Sequence, residues 1–151
     1  MSRSGKRALW AALILWCGWL LWMLLFRRLD SAREMPLGEY AREHLVLTPF
    51  RTILSQLKEA RAGDRHAVTN LGGNTLLFLP VGWAMPVLMP RLRRYGRFLL
   101  CFAGAILCVE LAQLLLRVGV CEADDLILNC LGASAGYLVW RLFRRKENQA
   151  C

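Results

Sequence analysis

The chain has 151 residues, of which 56% are hydrophobic and 21% charged, and its formal net charge is +9. Because the charges are confined to short stretches between long uncharged runs, this composition excludes an ordinary soluble domain and indicates a lipid environment. The basic residues flank apolar runs, as is typical of membrane proteins, so no nucleic-acid partner is expected.

The first predicted element is a transmembrane helix over Ala8–Phe26, a run of 19 residues without a charge. Arg3, Lys6 and Arg7 precede it. A cleavable signal peptide would have a shorter apolar core followed by a small-residue cleavage site, and neither is visible. The segment is therefore interpreted as a signal anchor.

Residues 27–69 form the long polar stretch of the chain and are expected to be partly helical. Thr48 followed by Pro49 predicts a helix N-cap with proline at the first helical position. Apolar residues then recur at helical spacing, at Phe50, Ile53, Leu54 and Leu57. Such a stripe favours a helix lying on the membrane surface, and equally one packed on a helical bundle.

Three further transmembrane helices are predicted, at Leu71–Met89, Phe98–Leu116 and Asp125–Phe143. Pro80 lies near the middle of the first of these and cannot donate a hydrogen bond to the carbonyl of Leu76, so a kink is expected there. The predicted fold class is all-α, an integral membrane bundle of four transmembrane helices. A partly helical extracytoplasmic segment is expected between the first and second.

The chain is accordingly divided into four regions. These are a cytoplasmic flank with the signal anchor (1–26), an extracytoplasmic polar segment (27–69), a core of three transmembrane helices (70–143) and a cytoplasmic tail (144–151). Three short basic flanks fall on one side of a four-span bundle, and the positive-inside rule makes that side the cytoplasm. Arg27 and Arg28 oppose this assignment but are outnumbered. Both termini are expected to be cytoplasmic, in the cell membrane.

Polar residues within the three later spans are predicted to share one depth in the membrane. They are Asn70 and Asn74 on the second span, Glu110 and Gln113 on the third, and Asp125 and Asn129 on the fourth. An ionised carboxylate facing lipid costs at least about 2.5 kcal/mol, so such residues need partners. An intramembrane carboxylate is by default a candidate site residue, and Glu110 is therefore the main candidate.

Spacing along each helix supports a common site. Glu110, Gln113 and Arg117 fall at i, i+3 and i+7, which places them on one stripe of the third span. Arg117 and Gln113 can offer donors to Glu110. The carboxylates of Asp124 and Asp125 are expected to be stabilised by the positive N-terminal end of the dipole of the fourth helix.

The fourth span carries a stripe of its own. Asp125, Asn129, Gly132 and Gly136 fall at i, i+4, i+7 and i+11, and the glycines predict close packing against a neighbouring helix.

Other kinds of site are weaker alternatives. The Asn and Gln side chains can form a hydrogen-bond network that only sets the helix register. His66 with Glu110 and Asp125 is a poor candidate for a metal site. The GxSxG, HExxH and P-loop motifs are absent, and Ser134 has no histidine nearby in the sequence. No metal and no cofactor is predicted.

Four stretches of the chain resemble the VanZ-like family. They are LTPFRTI (47–53), NLGGNTLLFLPVGW (70–83), ELAQ (110–113) and DDLILNCLGASAGY (124–137). The resemblance covers about residues 47–143. Each motif alone is weak evidence for the family, but the combination of the four in this order is specific. The N-terminal anchor carries no motif specific to the family.

The resemblance implies a multi-pass bacterial membrane protein of a family associated with resistance to glycopeptide antibiotics such as teicoplanin. It places the family's polar signature on Asn70, Asn74, Pro80, Gly82, Glu110, Gln113, Asp125, Asn129 and Gly132. Such proteins commonly carry an arginine about six residues before the aspartate. This chain has Gly119 there, and Arg117 is two residues away.

Three functions remain open on the sequence. The first is binding of a cell-envelope amphiphile in an outer-leaflet polar pocket, with an effect on glycopeptide susceptibility, since no nucleophile or metal set accompanies the carboxylates. The second is an intramembrane enzyme in which Glu110 and Asp125 act as general acid and base on a lipid-linked envelope precursor. The third is a structural subunit of a membrane complex. The expected partners are the lipid bilayer and an envelope lipid or glycopeptide-related ligand; the oligomeric state is not predicted.

Overall fold

Four long apolar helices dominate the molecule. The computed structural model describes residues 2–26 and 35–149, without the side chains of Phe26 and of 145–149; Arg27 and Arg28 lie outside the described residues. The helices long and apolar enough to cross a membrane are Arg3–Leu25, Arg65–Leu88, Tyr95–Leu116 and Ala123–Arg144. The predicted all-α membrane bundle is thereby confirmed.

Shorter elements connect these helices. In chain order the structure has α1 (Arg3–Phe26), α2 (Leu37–His44), β1 (Leu45–Val46), α3 (Arg51–Arg61), α4 (Arg65–Leu77), α5 (Leu79–Leu88), a 3-10 turn (Pro90–Arg93), α6 (Tyr95–Leu116), β2 (Cys121–Glu122) and α7 (Ala123–Gln149). The strands β1 and β2 pair in parallel over two residues, Leu45 with Cys121 and Val46 with Glu122. This pairing ties the polar segment to the loop between α6 and α7.

The second span is interrupted at Phe78, between α4 and α5. Pro80 occupies the first turn of α5, where its missing N–H is tolerated, so the helix is interrupted two residues before the proline; a bend of the helix axis there stays a prediction. The indole Nε1–H of Trp16 on α1 donates to the carbonyl oxygen of Leu77 at 3.0 Å. A neighbouring helix therefore satisfies a backbone group beside the break, as the absence of water in a bilayer requires.

The same span begins earlier than its predicted start at Leu71. Its first helical residue is Arg65, because the side chain of Asp64 accepts the backbone N–H of His66 at 2.8 Å and caps the helix there. The uncharged run in the sequence corresponds to the apolar part of the span, whereas the cap at Asp64 marks where the helix begins.

Glycines allow α7 to approach the second span closely. A Cβ added at Gly132 would lie 1.9 Å from the carbonyl oxygen of Thr75, and one at Gly136 would lie 2.0 Å from that of Leu79. Gly82 meets the backbone of α7 in the same way. Any side chain at these positions would force the helices apart, so the seam depends on the absence of side-chain atoms.

The distribution of apolar side chains is that of a protein surrounded by lipid. Phe98, Phe102 and Tyr137 are buried and stack on one another in the core. At the same time large apolar side chains cover the outside, with Leu15 at 74% and Leu100 at 78% exposed. Exposed apolar surface on this scale fits hydrocarbon as the surrounding medium.

The polar segment differs from its predicted form. The prediction that Thr48 and Pro49 start its helix is wrong, because α3 begins at Arg51 after Phe50, whose φ is 64°. Of the predicted apolar stripe, Phe50 and Leu54 are each 54% exposed, and Ile53 is partly buried. The helix packs on α4 and leaves most of this stripe uncovered by protein.

Candidate functional site: a polar cavity among the helices

A cavity of about 720 Å³ lies among α1, α3, α4, α6 and α7. Six of the polar residues singled out in the sequence line it: Asn70, Asn74, Glu110, Gln113, Asp125 and Asn129. They come from the start of the second span, the end of the third and the start of the fourth. The antiparallel course of these helices therefore brings them to one end of the bundle.

One wall of the cavity is fixed by a hydrogen bond between α4 and α7. The amide Nδ2 of Asn74 donates to Oδ1 of Asp125 at 2.9 Å, and the pair is partly buried. A bond from an amide to a carboxylate is stronger than one between neutral groups when the carboxylate is ionised. It orients Asp125 in the cavity wall and sets the register at the start of α7.

The opposite wall is built by α1. The side-chain amide of Gln113 donates to the carbonyl oxygen of Leu24 at 3.1 Å, which joins α6 to the end of α1. Leu20 and Met23 line the cavity beside that contact. The first helix thus supplies apolar side chains to a cavity whose polar side chains come from the other helices.

Glu110 and Asp125 lie close to a buried thiol. Glu110 is only 6% exposed, and Cys121 in the loop after α6 is also buried. Burial raises the pKa of the Cys121 thiol above its ordinary value, and the negative charges of Glu110 and Asp125 raise it further. The thiol is therefore held in its neutral form, which disfavours its use as a nucleophile.

Two amide oxygens of the cavity lack a hydrogen-bond donor. Oδ1 of Asn129 and Oε1 of Gln56 are buried, and within the described part of the chain no group donates to either. Asn129 is 6% exposed, so bulk water hardly reaches it. An unsatisfied buried acceptor costs about 1–3 kcal/mol, which a donor on a bound molecule or an ordered water would offset.

Asp124, predicted to share the polar network, has a different environment. It is 1% exposed, does not line the cavity, and accepts the backbone N–H groups of Phe50 at 2.5 Å and Ile53 at 2.9 Å. Its carboxylate caps α3, the function that the sequence assigned to Thr48. The correction has a simple cause: an N-cap acceptor can come from a distant part of the chain when packing brings it to the helix end.

Arg117 is also absent from the residues that line the cavity. It ends α6 in the left-handed conformation, with φ at 57°. Its predicted pairing with Glu110 stays a prediction.

Sequence reasoning missed the contribution of α3. Thr52, Gln56 and Glu59 line the cavity and fall at i, i+4 and i+7 of that helix. This polar stripe was visible in the sequence beside the apolar one. His66 lines the cavity as well, but the described residues contain no group of three His, Cys, Asp or Glu side chains placed to hold a metal ion.

A bundle that is apolar outside and gathers carboxylate and amide groups in an internal cavity defines a multi-pass membrane protein with an intramembrane polar site. A family model described as VanZ/LLP1 matches residues 9–144, and the chain belongs to that family. The match includes α1, so the resemblance extends beyond its predicted limit at residue 47. No curated protein and no solved structure matches the chain.

Proposed function

We propose that the polar cavity binds the headgroup of a cell-envelope amphiphile and that the protein thereby affects glycopeptide susceptibility. The observation that carries the proposal is the buried Oδ1 of Asn129, which accepts a hydrogen bond from none of the described residues and lies in a cavity shared with Glu110 and Asp125. At about 720 Å³ the cavity is within the size range of small-molecule sites.

The lining selects the chemistry of the ligand. Its carboxylate and amide oxygens are hydrogen-bond acceptors, so a headgroup rich in hydroxyl or amine donors is favoured over an anionic one. The apolar wall formed by Leu20, Met23 and Leu24 suits an acyl or polyprenyl chain. A glycosylated or amine-bearing lipid combines both features.

Family membership supports the link to antibiotics. The VanZ-like resemblance implies an association with glycopeptide resistance, and glycopeptides act at the cell envelope. With the basic flanks in the cytoplasm, the cavity opens at the extracytoplasmic end of the bundle, where such a lipid is presented.

The test is photocrosslinking in membranes with a diazirine-bearing lipid-linked sugar as the probe. We expect Glu110→Gln and Asp125→Asn each to reduce labelling about tenfold, because each removes one charge-assisted hydrogen bond to the headgroup. Glu43→Gln is the matched control, since Glu43 is an exposed carboxylate of α2 away from the cavity. Unchanged labelling and glycopeptide susceptibility in both cavity variants, at equal expression, would contradict the proposal.

A second function rests on the presence of Glu110 and Asp125 in the lining of one cavity. Glu110 and Asp125 together meet the first requirement of general acid and base catalysis on a lipid-linked precursor. Incubation of the purified protein with a panel of such precursors then yields a product that Glu110→Gln no longer forms. Failure of the wild type to form a product across the panel counts against catalysis.

A further inference from the structure

A second cavity lies at the opposite end of the bundle. It has a volume of about 470 Å³ and is formed by the 3-10 turn, the start of α6 and the last turns of α7. Four arginines line it, Arg93, Arg94, Arg141 and Arg144, and among the side chains that the structure describes no acidic one does. The polar cavity, by contrast, is formed by the end of α6 and the start of α7.

The floor of this basic cavity is aromatic and well packed. Tyr137 and Trp140 are buried, and the ring of Tyr137 lies 5.3 Å from those of Tyr95 and Trp140. The hydroxyl of Tyr137 donates to the carbonyl oxygen of Arg93 at 2.6 Å. The guanidinium of Arg144 lies 5.5 Å from the centre of the Trp140 ring. The floor therefore fixes the backbone of Arg93 and the side chain of Arg144 at the cavity.

A helix end adds to the positive potential. The first helical residue of α6, Tyr95, lies in the cavity wall, and none of the side chains in the described ranges caps that N-terminus. The first-turn N–H groups carry the positive end of the helix dipole. With four guanidinium groups around them, they form a site for an oxyanion, and the planar fork of arginine matches phosphate geometry.

We propose that this cavity binds the phosphate of an anionic phospholipid in the adjoining leaflet. The surface beside it distinguishes a lipid from a free anion, since Leu138, Leu142 and Phe143 on α7 are 53%, 59% and 64% exposed. Leu138 lies nearer the middle of the span than Arg141, whereas Leu142 and Phe143 lie at the depth of the arginines, so acyl chains would meet apolar surface beside the headgroup site. Basic pockets between transmembrane helices are suited to anionic lipids because they combine positive charge for the headgroup with apolar surface for the acyl chains.

The experiment is native mass spectrometry of the full-length protein with bound phosphatidylglycerol. The test variant combines Arg94→Gln and Arg141→Gln, which spares the arginines that contact Pro86 and Trp140. The control combines Arg91→Gln and Arg97→Gln, two exposed arginines of the same segment that do not line the cavity.

We expect lipid affinity to fall roughly 25-fold in the test pair, from about fivefold for each arginine, and to change little in the control pair. Single Arg141→Gln is the fallback if the pair does not fold, with an expected loss of about fivefold. Equal losses of lipid affinity in the test and control pairs would show that the lipid is attracted by the overall positive charge and not by the cavity, and would overturn the proposal.

Two further ligands complete the test. Phosphatidylcholine, which has the same diester but no net charge, is expected to bind more weakly than phosphatidylglycerol. Inorganic phosphate at millimolar concentration is expected not to displace the lipid, because it makes none of the apolar contacts. Displacement by phosphate alone would show a free-anion site and overturn the lipid assignment.

Discussion

Asp124 lies where the N-termini of two helices meet. It is the second residue of α7, and its carboxylate accepts the backbone N–H groups of Phe50 and Ile53 at the start of α3. Because both helix dipoles are positive at this point, the carboxylate is stabilised by each of them. The bond to Phe50 also holds a left-handed conformation that a residue with a bulky side chain rarely adopts.

Replacement of Asp124 by alanine should therefore loosen α3 selectively. We expect the free energy of unfolding to fall by about 2 kcal/mol, through the loss of two bonds to a buried carboxylate. Hydrogen exchange in detergent should become faster over residues 51–61. In the control Glu43→Gln, which alters an exposed carboxylate, exchange should be unchanged. Equal exchange in Asp124→Ala and wild type would show that α3 does not depend on this cap.

The seam between α7 and the second span is the main packing feature at the level of elements. Its glycines bring the backbones into contact, and Asn74 bonds to Asp125 at the end of the seam beside the polar cavity. The break at Phe78, supported by Trp16, lies along the same interface. Close packing of this kind fixes the depth at which the polar side chains of each helix meet.

Gly132→Ala tests the seam directly. The added methyl would lie 1.9 Å from the carbonyl oxygen of Thr75, so we expect a loss of about 1–3 kcal/mol in unfolding free energy and a lower Tm in detergent. Gly104→Ala is the matched control, because a Cβ there meets nothing within 4 Å. Alanine favours a helix over glycine, so the control should be neutral or stabilised by up to about 1 kcal/mol. The same Tm in both variants would rule out a close seam.

At the scale of the whole molecule, the two ends of the bundle have opposite chemistry. One end holds the cavity of carboxylates and amides, and the other holds the basic cavity with its four arginines. The positive-inside rule predicts that the basic end faces the cytoplasm and that the acidic end lies on the opposite side of the membrane. The orientation thus decides which face of the membrane each proposed ligand must reach.

Cysteine labelling of intact cells measures that orientation. In a background with the native cysteines replaced by alanine, we expect a membrane-impermeant maleimide to label Asn70→Cys and not Arg91→Cys. These positions lie near opposite ends of the second span and are both exposed. Permeabilised cells should give labelling at both. The reverse pattern in intact cells would invert the assignment.

Four spans, a disturbance of the second span near Pro80 and the polar residues that gather at one end could all be predicted from the sequence. These features follow from local properties: the length of an uncharged run, the missing N–H of proline, and the rise per residue along antiparallel helices. That Asp124 caps α3, that α1 forms a cavity wall and that Gln56 lines the cavity became apparent only in the folded structure. Each of these depends on contacts between residues far apart in the chain. The apolar patterns that predict helices do not specify which faces of those helices meet.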